Sequence, residues 1–295
     1  MINMNNEFNK GLLLTSFGSF WWGFIGVIYF KYLDFIGFVE VVIHRCVWTA
    51  VTLFITTFLF SKWKIFFSII SNKKYLIGLF FSGFLIFLNW AVWIYAIATD
   101  RIIDASFGYF IMPILSVFLG YIFFKEKLNK KRIFSISLVI LSIILLLFFN
   151  IKSLPWVGIV VGLSWGFYNL IRKKINVDTD IGLLIESLFI LPFALISFFF
   201  VYKNGLNDFS FNNPGLSLFI LLAGPMTVIP LFLYVRGVEL CGLGPTGMIF
   251  YITPTLQFLL GYFYYGEAFS LIKFGSFILI WIAVIIYLKD LYETN

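Results

Sequence analysis

Four polar or ionisable residues interrupt apolar runs of this chain where a charge or hydrogen bond could bind or relay something. His44 and Arg45 stand side by side, Asn89 precedes Trp90, and Glu186 lies between Ile185 and a Ser-Leu-Phe-Ile-Leu stretch. In hydrocarbon an arginine costs about 2.5–3.5 kcal/mol, while each Leu, Ile, Phe or Val returns only about 0.3–0.6, so such a residue needs a partner or a ligand. Arg45 is available to a carboxylate or phosphate, His44 to a proton, and Glu186 to a proton or a cation. Each has a plainer alternative. Arg45 could snorkel to the outer headgroups or pair with Glu40, His44 could be satisfied in the core, and Glu186 could sit at the inner interface. Arg236, at the end of an apolar run, reads as an interfacial anchor.

Aromatic residues gather near these groups. Trp22, Trp90, Tyr109, Trp165, Tyr168 and Tyr251 are candidates to line a binding site, together with His44, Arg45, Asn89 and Glu186. Tyr168 shares a helix face with Trp165, and Tyr109 and Tyr251 lie about one turn from Pro113 and Pro254, where a helix should kink and expose a carbonyl. Glu126 and Glu267 end their helices; the simpler account is a solvated helix-end carboxylate, the sharper one a gate.

What positions these residues is a membrane-spanning framework. Hydrophobic residues make up 61% of the 295 positions and charged residues 12%, and mean hydropathy is +1.00, so nearly the whole length must sit in lipid. The net charge of +7 forms no stripe or face, and nucleic acid is not an expected partner. Apolar runs of spanning length cover 11–30, 36–60, 75–98, 102–124, 133–149, 155–171, 181–202, 215–235, 244–265 and 271–288. The first lacks a small-residue cleavage site and is expected to remain as a helix near the start of the mature protein. Cys46 and Cys241 show no disulfide or metal-ligand spacing and read as packing residues; no cofactor or metal is expected.

A segment is written twice. Gly108 to Glu126 recurs as Ile249 to Glu267, with Pro113, Gly120, Tyr121 and Glu126 each 141 positions before Pro254, Gly261, Tyr262 and Glu267. Trp22-Gly23-Phe24 returns as Trp165-Gly166-Phe167, and His44 falls opposite Glu186. Five runs separate each element from its copy. Five is odd, so the second half must insert upside down. The expected architecture is therefore all-α: ten transmembrane helices in two inverted five-helix repeats, 11–149 and 155–288. Glycines at 18, 23, 26, 158, 162 and 166 would let the first and sixth helices approach their neighbours closely.

Trp22-Gly23, Ile43-His44-Arg45, Asn89-Trp90, Ala105-Ser106-Phe107-Gly108-Tyr109-Phe110 with Pro113, Phe167-Tyr168 with Arg172-Lys173-Lys174, Leu184-Ile185-Glu186 and Tyr265-Gly266-Glu267 follow in order along the chain. In these motifs, and over essentially its whole length, the chain resembles the RarD group of EamA-type transporters in the drug/metabolite transporter superfamily. The resemblance implies a secondary carrier of small metabolites or drug-like solutes in the bacterial inner membrane, without naming a substrate, and helices five and ten outside the transport cavity. The partners expected are a small-molecule substrate and the lipid bilayer, and a homodimer is one assembly compatible with the chain.

Other classes leave specific gaps. The sequence holds no GxxxxGK[ST] loop and no HExxH or GxSxG, and no run shows the continuous polar stripe of a pore. A membrane-embedded enzyme on lipid-linked substrates, with Glu186 and His44 as acid and base, is the second reading. His44 lies about eight residues below the outer end of its helix and Glu186 about five above the inner end. At about 1.5 Å per residue in a core of about 30 Å, they stand about 10 Å apart along the membrane normal, too far for a salt bridge.

Fifteen loop cations, including Lys62, Lys64, Lys73, Lys74 and the 125–132 cluster, fall on one side, against Lys31, Arg101, Lys152, Lys203 and Lys273 on the other. This bias places both termini in the cytoplasm. Reporter fusions in the 125–132 loop or at the C-terminus should read as cytoplasmic, and fusions at Lys152 or Lys203 as external. An active periplasmic reporter in the 125–132 loop would overturn the map and the inversion with it.

Overall fold

Runs of about twenty apolar residues can satisfy their backbone groups in lipid only as helices, and the computed structural model, which describes residues 2–99, 102–150, 156–264 and 271–294, is helical almost throughout with no strand among those residues. The first run is one continuous rod: α1 (Ile2–Phe20), a π-helical turn (Trp21–Gly26) and α2 (Val27–Tyr32). Then come α3 (Phe38–Leu59), a short α4 (Trp63–Ile70), α5 (Lys73–Ala98), α6 (Ile102–Phe124), α7 (Lys130–Asn150), α8 (Trp156–Ile175) and α9 (Thr179–Lys203). The chain ends with α10 (Pro214–Leu221), α11 (Ala223–Cys241), α12 (Leu243–Ile249), α13 (Ile252–Phe263) and α14 (Leu271–Thr294). Among the described residues, six helical segments are long and apolar enough to cross a membrane: Asn6–Tyr32, Phe38–Leu59, Lys73–Ala96, Thr179–Lys203, Pro214–Cys241 and Phe274–Glu293. The protein is a polytopic membrane protein.

Over the described residues, run 11–30 coincides with the three-part rod and every other apolar run with a helix or a consecutive pair, and the departures are local. Run 215–235 is divided at Leu222 into α10 and α11, and run 244–265 at Phe250 and Tyr251 into α12 and α13. The second break falls just ahead of Pro254. A proline near the start of a helix is tolerated because its missing N–H would have had no intrahelical acceptor there. Pro113 does not interrupt α6, which runs from Ile102 to Phe124. Its carbonyl lies beside Gly247 of α12, where an added Cβ would come 3.0 Å from that oxygen. Helix α4, in the loop after α3, was not expected; its Lys62 neighbour bonds Asp180 at 2.7 Å and Asp178 at 3.2 Å. Partial burial opposes that charge, but the bonds and charges of Asp180 and Asp178 outweigh it and hold the Lys62 ammonium above its ordinary value.

The principal packing partners are α1 with α11, α5 and α6 with α8, α3 with α9 and α11, α5 with α9, α12 with α6, and the π turn with α13. A separate pair, α7 with α14, is crossed by two hydrogen bonds: Ser135 donates to the Ala283 carbonyl at 2.6 Å and Ser142 to the Ser276 carbonyl at 2.9 Å. Position rises along one helix as it falls along the other, so the two run antiparallel. Glycines set the closest approaches. A Cβ on Gly108 would lie 2.5 Å from the Gly158 carbonyl, and one on Gly23 2.9 Å from the Thr253 Cα.

Overpacking at such a site costs about 1–3 kcal/mol or more. Gly108→Leu should therefore lower the melting temperature and folded yield in detergent, whereas Gly275→Ala, which meets nothing within 4 Å, should leave both unchanged. Equal melting of the two variants would refute the close α6–α8 contact.

Candidate functional site

A cavity of about 520 Å³, counting its open mouth, lies where the π turn, α2, α3, α5, α6, α8 and α13 converge. Six residues picked from the sequence wall it: Trp22, Arg45, Asn89, Trp90, Tyr109 and Trp165. The rest of the wall is Gly26, Phe30, Trp93, Phe250, Thr253 and Gln257. Some of these were readable. Trp93 is one turn beyond Asn89 and Trp90, and Gln257 is a polar residue in an apolar run; Phe30 and Phe250 had no signal beyond being aromatic in an aromatic-rich chain.

Local backbone departures aim these side chains. The π turn adds a residue to the helical repeat without breaking the rod, a device common at functional sites, and it carries Trp22 and Gly26 into the wall. Trp22 meets Trp165 edge-on at 5.1 Å, and Phe250, at the α12–α13 break, lies 6.3 Å from both and 5.7 Å from Tyr109. Asn89 donates through Nδ2 to the Val161 carbonyl at 2.9 Å and to the Ser164 hydroxyl at 3.2 Å. A carbonyl can only accept, so the amide orientation is fixed and Oδ1 is turned away from it.

Arg45 is 5% exposed, so it does not snorkel, and Glu40 is engaged elsewhere. Its Nε donates to the Thr227 hydroxyl at 3.1 Å, and its guanidinium lies over Trp90 at 4.7 Å, Phe30 at 4.8 Å and Trp93 at 5.9 Å.

The other four expected residues do not line the cavity. His44 belongs to a cluster on a different face of α3. Trp48 donates to its Nδ1 at 3.1 Å, which leaves the proton on Nε2, 3.4 Å from Glu40. Glu40 also accepts the Asp208 and Phe209 amides at 2.8 and 2.9 Å, holding the loop between α9 and α10. Tyr251 donates to the Phe110 carbonyl at 2.9 Å and packs in a second core with α7 and α14 residues.

Glu186 and Tyr168 belong to a third cluster. The Glu186 carboxylate accepts from Ser82 at 2.5 Å and from Tyr168 at 3.2 Å, and pairs with Arg172 at 3.6 Å. Arg172, 1% exposed, also reaches the Thr179 carbonyl at 3.1 Å and Glu239 at 3.8 Å, and Glu239 continues to Arg236 at 2.9 Å. Gly182 leaves the space that this guanidinium fills. Tyr168 stacks on Trp165 at 5.3 Å, so the cluster adjoins the cavity through one ring. Both amide atoms of buried Asn169 lack a partner. Glu239 was not singled out from the sequence and Arg172 entered only as part of the Arg172-Lys173-Lys174 motif, while Arg236, read as an interfacial anchor, is half-exposed and forms this network's outer end.

Glu126 is not a free helix-end carboxylate. It accepts the Leu243 and Gly244 amides at 2.8 Å each, capping α12, and stands 3.5 Å from Lys173. Glu267 lies outside the described residues.

The sequence profile of the EamA-like transporter family matches residues 9–148. A protein from Vibrio cholerae described as an uncharacterized transporter is 36% identical over 282 residues, covering 95% of this chain and 92% of that protein. The uncharacterized transporter YojE of Bacillus subtilis is 32% identical over 284 residues, covering 95% and 94%. Protein RarD of Escherichia coli is 31% identical over 286 residues, covering 97% and 96%. One solved crystal structure matches with a TM-score of 0.66 at 11% identity, covering 97% of this chain and 96% of that one, which speaks to the fold alone.

Removing the cation from a buried ion cluster costs about 3–5 kcal/mol, because uncompensated carboxylates remain. Arg172→Gln should therefore lower the melting temperature sharply, and adding Glu186→Gln and Glu239→Gln should recover much of the loss. A melting temperature unmoved by Arg172→Gln would show that the cluster holds nothing together.

Proposed function

The chain belongs to the RarD-type group of the EamA-like transporter family, and from that premise we propose that it is a secondary transporter moving a small solute across the bacterial inner membrane by alternating access. The observation that carries this reading is the open-mouthed, aromatic-walled cavity, whose wall draws residues from both 11–149 and 155–288. Helix pairing supports the inverted relation. The contact of Gly23 with Leu256 has its counterpart in Gly166 with Leu115, and Trp22 meets its own repeat equivalent, Trp165. The Ser135–Ala283 and Ser142–Ser276 bonds exchange into each other's positions when 141 is added to the first member. On this reading the halves rock about the cavity, and α7 and α14, which contribute nothing to its wall, stay outside it. The charge pairs support both termini being cytoplasmic: Lys62 with Asp178, Arg132 with Asp290 and Lys131 with Glu293 each join groups that the cation bias assigns to one side.

The enzyme alternative is weaker for a geometric reason. An acid and a base must reach one reacting atom, but His44 and Glu186 occupy separate clusters and both stand off the cavity wall.

Glu186 is the residue we assign to proton coupling. It is buried, hydrogen-bonded to groups that suit either protonation state, tied to a guanidinium, and one aromatic ring from the cavity. Protonation would loosen the Arg172 pair that joins α8 to α9. In proteoliposomes, Glu186→Gln should keep solute exchange but lose accumulation driven by a pH gradient. If the variant accumulates solute with an unchanged pH dependence, coupling through this carboxylate is wrong.

A further inference from the structure

Arg45 is a buried cation with no counter-charge among the described residues. Among the described residues no carboxylate stands within ion-pair distance of it, and its one hydrogen bond leaves through Nε to Thr227. The terminal nitrogens, the pair that grips a carboxylate side by side, bond to no protein group. Every other buried arginine among the described residues has an acidic partner: Arg172 has Glu186 and Glu239, and Arg132 has Asp290. A lone guanidinium in a low-dielectric site is costly to hold, and this one faces the cavity.

We infer that the cavity binds a flat organic monoanion, an aromatic carboxylate or a close relative, with Arg45 as the head-group contact; this deepens the reading of the cavity as the transporter's binding site and rests on it. Charge sets the head group. Among the described residues no acidic side chain lines the wall, so an ammonium would meet Arg45 with nothing there to offset the repulsion, and amines and zwitterions are disfavoured. A single guanidinium matches a single negative charge better than a dianion.

Shape sets the body. Beyond Arg45 the wall is mostly aromatic, with four tryptophans beside Phe30, Tyr109 and Phe250, and rings held edge-on and tilted leave faces against which a planar unsaturated group can stack. The remaining polar atoms are sparse. The Thr253 hydroxyl is spent on the Ser19 carbonyl at 2.9 Å, while among the described residues Asn89 Oδ1 meets no donor and neither the Gln257 amide nor the Tyr109 hydroxyl makes a hydrogen bond. These last three can accept or give one bond each to a ring hydroxyl or N–H, which would refine selection among aromatic acids.

The test uses the purified full-length protein in nanodiscs and three probes of one shape: 2-naphthoate, the neutral 2-naphthamide and the cationic 2-naphthylmethylammonium, with sodium chloride as a fourth. Binding is read by calorimetry. A charge-assisted bidentate pair exceeds a neutral hydrogen bond enough to give tenfold or more in affinity. Naphthoate should bind at least tenfold tighter than the amide, with the ammonium not measurable. In Arg45→Gln naphthoate should fall to the level of the amide, and retained amide binding shows that the variant is folded. Equal binding of the amide or the ammonium by the wild type, binding of none of the three, or displacement of naphthoate by chloride at matched concentration would each overturn the inference. Naphthoate flux in proteoliposomes separates the two claims: Arg45-dependent binding without flux would sink the transport reading and leave the anion site standing.

Discussion

A charge taken into hydrocarbon has to be matched, and this requirement organises the bundle. One guanidinium, Arg172, ties α8 to α9 through Glu186 and the Thr179 carbonyl, and to α11 through Glu239. The Glu239 contact joins helices that are not consecutive in the chain, so satisfying the charge also fixes which helices are neighbours. Glu40 does the same for the loop between α9 and α10, and Glu126 joins the end of α6 to the start of α12. These three matches lie around the cavity and not in it. The unmatched exception, Arg45, is in its wall. Among the described residues the other buried charges have counter-charges or hydrogen-bond partners within the protein, and Arg45, whose terminal nitrogens face a cavity, is left for something that enters.

Small departures from regular helix shape the cavity that surrounds it. The π turn in the first rod and the break between α12 and α13 face each other across the wall, where Gly23 lets the Thr253 backbone come close. Without these irregularities Trp22 and Phe250 would point along different helix faces. The ion cluster adjoins the cavity through the Trp165–Tyr168 stack. A change of charge at Glu186 can therefore reach the site through one packed ring and the helix that carries both residues, a short and physical route for coupling.

Much of the framework was legible in the sequence because apolar run length maps directly onto helices in lipid, and a repeat of 141 residues is visible without structure. The six cavity residues found in advance were polar or aromatic groups standing out from apolar surroundings. What was not legible depends on neighbours distant in the chain. Arg172 stood out only as one of the Arg172-Lys173-Lys174 group and Glu239 carried no signal, and only packing turns them inward to meet Glu186. His44 and Arg45 are adjacent, yet successive helical residues point about 100° apart, so one faces Glu40 and the other the cavity. Tyr251 stands in the repeat like a site residue but spends its hydroxyl on the Phe110 carbonyl. The π turn has no sequence signature that hydropathy could register.

The central claim is that one cavity serves both faces of the membrane in turn. Cys46 and Cys241 are buried and free, so replacing both with alanine and Gln257 with cysteine gives a single reporter in the wall. The measurement is its labelling by a membrane-impermeant thiol reagent in right-side-out and in inverted vesicles. Alternating access predicts labelling from both sides, with a bound solute slowing each. Labelling from one side alone, in both vesicle orientations and whatever solute is present, would contradict the account.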